Sequence, residues 1–78
     1  MARENRFNEA RELHRDAQVE LAKWKEPQAD EVLFLKNELK EALLDLKQAV
    51  IELSSADADR YLTEVRLLMT ELQTLRKD

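Results

Sequence analysis

Residues 30–53, DEVLFLKNELKEALLDLKQAVIEL, decide the fold because they are apolar on two sides. At about 100° per residue, their apolar side chains form a broad main stripe and a narrower strip roughly 100° away. An ordinary surface helix needs only one apolar side, so this pattern predicts a helix in the middle of a bundle. The main stripe consists of Val32, Leu35, Leu39, Ala42, Leu43, Leu46, Ala49, Val50 and Leu53. The second strip consists of Leu33, Leu44 and Ile51.

The composition supports an all-α fold in one small domain. The 78 residues include no glycine, no cysteine and one proline. Glycine supplies phosphate-binding loops and tight hairpin turns, so its absence argues against nucleotide-binding loops and β-hairpins. The lack of cysteine removes disulfides and thiolate metal sites. A domain of this size is often completed by a partner subunit, and we expect self-association to complete the packing here.

Two breaks divide the chain into three helices. Pro27 disfavours helical geometry in the residue before it, and the spacing predicts helix 1 over about 3–25 and helix 2 over about 28–53. Ser54, with Asp57 three residues later, resembles a capping box and predicts helix 3 over about 57–76. Because this second connection is short, helices 2 and 3 should form an antiparallel hairpin within a bundle. The whole chain, 1–78, is then one helical domain.

The charge balance argues against nucleic acid and membrane as partners. The net charge is −4, and residues 1–25 mix six basic with five acidic side chains. Nucleic-acid binding depends on neutralising phosphates, which a mixed or acidic surface does poorly, so stacking of Trp24 on a base is not favoured. No apolar run approaches the length of a membrane span, and no secretion signal is recognisable. We therefore expect a cytoplasmic protein.

The charges of helix 2 are segregated on the two flanks of its main stripe. Acidic side chains recur every seven residues on one flank, at Glu31, Glu38, Asp45 and Glu52, and lysines lie on the other, at Lys36, Lys40 and Lys47. Such flanking charges select neighbours and orientation in helical bundles. The alternative is a solvated surface without partner choice, because exposed ion pairs contribute little energy.

No set of residues predicts an enzyme. Glu38-x-x-Glu41 resembles half of the paired acidic motif with which all-α nucleotide pyrophosphohydrolases hold magnesium, but Glu64 and Glu71 have the wrong spacing for the other half. His14 lacks the following lysine of a histidine phosphotransfer bundle and is interpreted as a residue at the border of the core. We expect no catalytic residues, no metal ligands and no cofactor.

The apolar residues outside the main stripes suggest a protein-binding function. The candidate interface residues are Leu33, Phe34, Leu44, Ile51, Leu67 and Trp24. Helix 1 could cover the second strip within one chain, or a second chain could pack there; we favour a homo-oligomer, with a dimer first. The expected function is a non-enzymatic interaction module, a homo-oligomeric assembly factor or adaptor that also binds an unidentified protein. The alternatives are an acidic regulator that occludes a nucleic-acid-handling enzyme and, third, the pyrophosphohydrolase-like enzyme.

Overall fold

The computed structural model describes residues 2–25 and 29–77, with side chains for 6–25 and 29–76. It contains three helices, α1 (Ala2–Ala22), α2 (Asp30–Ile51) and α3 (Ser55–Lys77). Helices α2 and α3 pack most closely, as the predicted hairpin does, and α1 lies against both. The all-α, three-helix architecture is therefore confirmed. None of the described helices is both long enough and apolar enough to cross a membrane.

The main stripe of α2 forms the centre of the core. Its buried residues are Val32, Leu35, Leu39, Ala42, Leu43, Leu46 and Ala49. Helix α1 contributes mainly small side chains, Ala10 and Ala17, with Phe7 near one end, whereas α3 contributes Leu62, Val65 and Leu72. Alanine on α1 lets its backbone approach closely, so a helix with few large apolar residues still closes the bundle.

The first connection differs from its prediction. Helix α1 ends at Ala22, three residues before the predicted 25, and its last turn tightens through bonds from the Lys23 and Trp24 amides to the carbonyls of Glu20 and Leu21. The predicted break at Glu26 and Pro27 lies outside the described residues. Helix α2 begins at Asp30 after Ala29, whose extended backbone provides no side-chain cap. Asp30 and Glu31 place negative charge in the first turn, where the helix dipole favours it.

A Schellman motif closes α2, with leucine where glycine is usual. The Ser54 amide donates to the Ala49 carbonyl at 3.0 Å and the Leu53 amide to the Val50 carbonyl at 3.1 Å. Leu53 therefore has φ 56°, in the left-handed region. Ser54 then caps α3, because its Oγ accepts from the Asp57 amide at 3.4 Å. The Ser54 amide is already bonded to Ala49, so only this half of the predicted capping box forms.

Leu53→Gly should raise the free energy of unfolding by about 0.5–1 kcal/mol. A left-handed conformation costs a non-glycine residue about 1–2 kcal/mol, and the greater freedom of glycine in the unfolded chain offsets part of that gain. Leu53 is mostly exposed, so little burial is lost. Urea denaturation measures the change, and Leu53→Ala is the control because it keeps the Cβ that causes the strain. Equal stability of the two variants would contradict the prediction.

Candidate interaction surfaces

The second apolar strip of α2 remains uncovered in the described bundle. Leu44 and Ile51 are 67% and 63% exposed, whereas Leu33 is 37% exposed. Helix α1 packs against the edge of the main stripe, where Leu46 and Val50 meet Ala10. The explanation that α1 covers the strip and completes the monomer is therefore wrong. The few large apolar side chains of α1 pack on the main stripe of α2. The second strip therefore stays open from Leu33 to Ile51, a length of about 27 Å at a rise of 1.5 Å per residue.

An open groove lies beside this strip, between α1 and α2. It has a volume of about 500 Å³ and an apolar floor that includes Ala10, Leu46 and Val50. Its rim is basic, because it carries Arg11 of α1 and Lys47 of α2, with His14 of α1 also lining the groove. Burial, and secondarily the charge of Lys47, lower the pKa of His14 below its usual value. His14 is half-buried at the edge of the core, and the groove holds positive charge from both helices.

The opposite flank of α2 is acidic, and so is the neighbouring side of α3. Glu31 of α2 and Glu71 of α3 line the same groove between these helices, on either side of Leu35 and Leu75. Glu64 lies one heptad before Glu71, so helical spacing places it on the same side of α3. At these positions, α2 borders side chains of its own charge: Glu31 lies near Glu71, and Lys47 lies near Arg11.

Three ion pairs between described side chains join α1 to α3 and show in which direction the two helices run. Arg6 pairs with Asp59, Arg66 with Glu9, and Arg76 with Glu20. The partners ascend together along both helices, so α1 and α3 are parallel and α2 runs opposite to both. In the part of the chain with described side chains, neither Lys40 nor Lys47 has an ion-pair partner.

The candidate interface residues fall into three environments. Leu33, Leu44 and Ile51 form the open strip, and Phe34, 63% exposed, lies on the acidic side of the same outward surface of α2. Phe34 therefore does not pack into the core, and the turn at Pro27 over which it could fold lies outside the described residues. Leu67 is exposed on α3, apart from the α2 residues. The structure thus brings four of the six candidates together on α2.

Trp24, the sixth candidate, belongs to a polar cluster at the end of the bundle. It is half-buried against the core, and its indole Nε1–H donates to Oε2 of Glu20 at 3.2 Å. Glu20 is only 2% exposed and also accepts two bonds from Arg76, from Nη2 at 3.0 Å and from Nε at 3.1 Å. The sequence alone did not indicate that Glu20 is buried. The spacing of four residues to Trp24 was the local signal that it borders the apolar stripe.

The residues considered for chemistry do not converge. No group of three or more histidine, cysteine or acidic side chains that could hold a metal ion occurs within 6–25 and 29–76. Glu38 and Glu41 lie on α2 without a matching acidic pair on α3. Comparisons of the chain with protein-family models, with curated proteins and with solved structures gave no match.

Proposed function

We propose that the chain is a non-enzymatic helical interaction module that acts by self-association, as an assembly factor or adaptor. One observation carries the proposal: the central helix of the bundle has an apolar strip along its outward side, which α1 and α3 leave exposed. Single exposed apolar residues are normal on protein surfaces, but Leu33, Leu44 and Ile51 align on one helix. An aligned apolar strip is the usual way in which a helix recognises another helix.

The acidic flank supports the second candidate, an acidic regulator of a nucleic-acid-handling enzyme. Carboxylates from α2 and α3 face one groove, as Glu31 and Glu71 do, and such a surface could imitate phosphate charge. Under this alternative, duplex DNA would displace the chain from its enzyme, and high salt would weaken the complex. The interaction module is preferred because the apolar strip has no role in phosphate mimicry.

Self-association should be detectable at micromolar concentration. We expect sedimentation equilibrium to give a mass between that of one and two chains, shifting towards two as concentration rises. The melting temperature should rise with concentration, because association stabilises the folded state. Phe34→Ala and Leu44→Ala should each shift the equilibrium towards the monomer while helical content stays the same, since both side chains are exposed in the single chain. A single-chain mass at every concentration would contradict self-association.

A further inference from the structure

The outward surface of α2 can be aligned with the heptad positions of a parallel two-stranded coiled coil, with apolar side chains at three of the six central positions. Its central positions, written a and d, are occupied by Phe34, Glu41 and Gln48, and by Asn37, Leu44 and Ile51. The flanking e positions are acidic and the last two g positions are lysines: Glu38, Asp45 and Glu52 at e, and Leu33, Lys40 and Lys47 at g. All are exposed except Glu38, which is half-buried. This surface points away from the core, so a second helix can approach it without displacing α1 or α3.

In the two grooves beside α2, flanking charges of this helix lie near side chains of the same sign. Arg11 of α1 shares a groove with Lys47, and Glu71 of α3 shares one with Glu31. Flanking charges in helical bundles normally complement the neighbouring helix. Here the two flanks of α2 carry opposite charges, so a second copy of α2 that runs in the same direction complements both flanks.

We propose that two copies of the chain pair through the outward surfaces of their α2 helices, parallel and in register. This inference rests on the proposed self-association and specifies its surface and orientation. In a parallel pair, each g position lies beside the e position five residues later in the partner, which places Lys40 beside Asp45 of the second copy and Lys47 beside Glu52. An antiparallel pair would bring lysine against lysine and acid against acid, which is unfavourable. The two-fold symmetry closes the assembly at a dimer.

The central positions also explain why the dimer should be weak. Leu44, Ile51 and Phe34 meet their own counterparts, but so does Glu41, and two carboxylates at the axis oppose association. A seam of about three heptads is short for a free-standing coiled coil. In this chain, however, α2 is already held helical by its own bundle, so pairing need not fold the helix. The expected affinity is micromolar and decreases as salt screens the four lysine–carboxylate pairs.

Cysteine cross-linking tests whether the two α2 helices are parallel. Because the chain has no native cysteine, only the introduced cysteine can form a disulfide. Asn37→Cys and Ile51→Cys are exposed positions separated by about 21 Å along α2, from the 1.5 Å rise per residue. In the parallel dimer each variant alone should form a disulfide-linked dimer at micromolar concentration under mild oxidation. An antiparallel pair allows at most one of them to do so. Gln18→Cys, exposed on α1, is the control and should not cross-link at the same rate.

Reversing the charges at the e or g positions of α2 tests whether the two flanks pair across the dimer. The double variants Lys40→Glu/Lys47→Glu and Asp45→Lys/Glu52→Lys should each associate at least about tenfold more weakly than the unmodified chain, because like charges then face each other. Mixed in equal amounts, they should form a heterodimer, since each supplies the charge that the other lacks. Arg15→Glu/Lys23→Glu produces the same net charge as the first variant at exposed positions, one on α1 and one directly after it, and should associate nearly normally.

The outcomes separate this inference from the function on which it rests. Cross-linking at both positions, with restored association in the mixture, supports the parallel dimer. If the unmodified chain self-associates but the exchanged variants associate equally well, the proposed pairing through the outward surfaces of α2 is wrong, while self-association remains supported. If the unmodified chain stays monomeric at every concentration, both self-association and the seam are overturned, and the strip is left for the helix of another protein.

Discussion

Leu46→Ala should lower the free energy of unfolding by about 2–5 kcal/mol, as removing a fully buried leucine does in well-packed cores. Leu46 has no exposed surface, lies midway along the main stripe of α2 and forms part of the floor between α1 and α2. Leu46 belongs to the core cluster to which all three helices contribute, so truncation leaves a cavity in the shared core. A domain of this size has a total stability of a few to about 12 kcal/mol, so the loss is a large fraction of it. Urea denaturation followed by circular dichroism measures the change.

Leu44→Ala is the matched control on the same helix. The two leucines are two residues apart, but Leu44 is 67% exposed, so its truncation should change the unfolding of the single chain by less than about 0.5 kcal/mol. Measurements at low protein concentration keep association from contributing. Similar losses for both variants would mean that α2 is buried on both sides in the single chain. A small loss for Leu46→Ala would mean that the core differs from the one described.

The periodicity of residues 30–53 was sufficient to predict the core face of α2. Seven of its nine predicted stripe residues are buried and Val50 is half-buried. Leu53 is the exception, because periodicity assumes that the helix continues. The helix instead ends at Ile51, and the left-handed backbone of Leu53 turns its side chain out of the stripe. Without glycine in the chain, no residue type marked that ending in advance.

Periodicity could not predict which helix covers the second apolar strip of α2. The thin stripe of α1 could have packed on either apolar side of α2, since alanine fits both. Tertiary structure settles the choice, as α1 and α3 share the ion pairs of Arg6 with Asp59 and of Arg66 with Glu9. Those partners are more than fifty residues apart, at spacings that no local pattern reveals. The exposed strip could thus be predicted as a surface, but not as one left free by α1.

The burial of Glu20 was also outside the reach of sequence reasoning, for a related physical reason. A carboxylate is rarely buried without a partner, and its partner here is Arg76, near the other end of the chain. From the sequence, Glu20 was only one of the five acidic side chains mixed among the basic residues of 1–25. Only the parallel packing of α1 on α3 brings the guanidinium to Glu20, and the bond from Trp24 then completes the cluster.

Arg76→Leu should destabilise the chain by about 2–3 kcal/mol, because it leaves the Glu20 carboxylate buried with the indole of Trp24 as its described partner. The value lies below that of a fully buried pair because the Arg76 side chain is 42% exposed, whereas that of Glu20 is 3% exposed. Trp24 is the only tryptophan. Its fluorescence can therefore follow the unfolding of this end of the bundle directly.

The double variant Glu20→Leu/Arg76→Leu gives the opposite expectation. Replacing both members of a buried ion pair by apolar residues of similar size removes the desolvation cost with the attraction, so its stability should return to within about 1 kcal/mol of the original chain or exceed it. The exposed pair of Arg66 and Glu9 is the control, and Arg66→Leu should cost no more than about 1 kcal/mol. If Arg76→Leu costs no more than Arg66→Leu, the Glu20 carboxylate reaches water without Arg76, and the pair does not join α1 to α3. If the double variant is instead less stable than Arg76→Leu alone, the Glu20 carboxylate stabilises this end of the bundle through Trp24 rather than through Arg76.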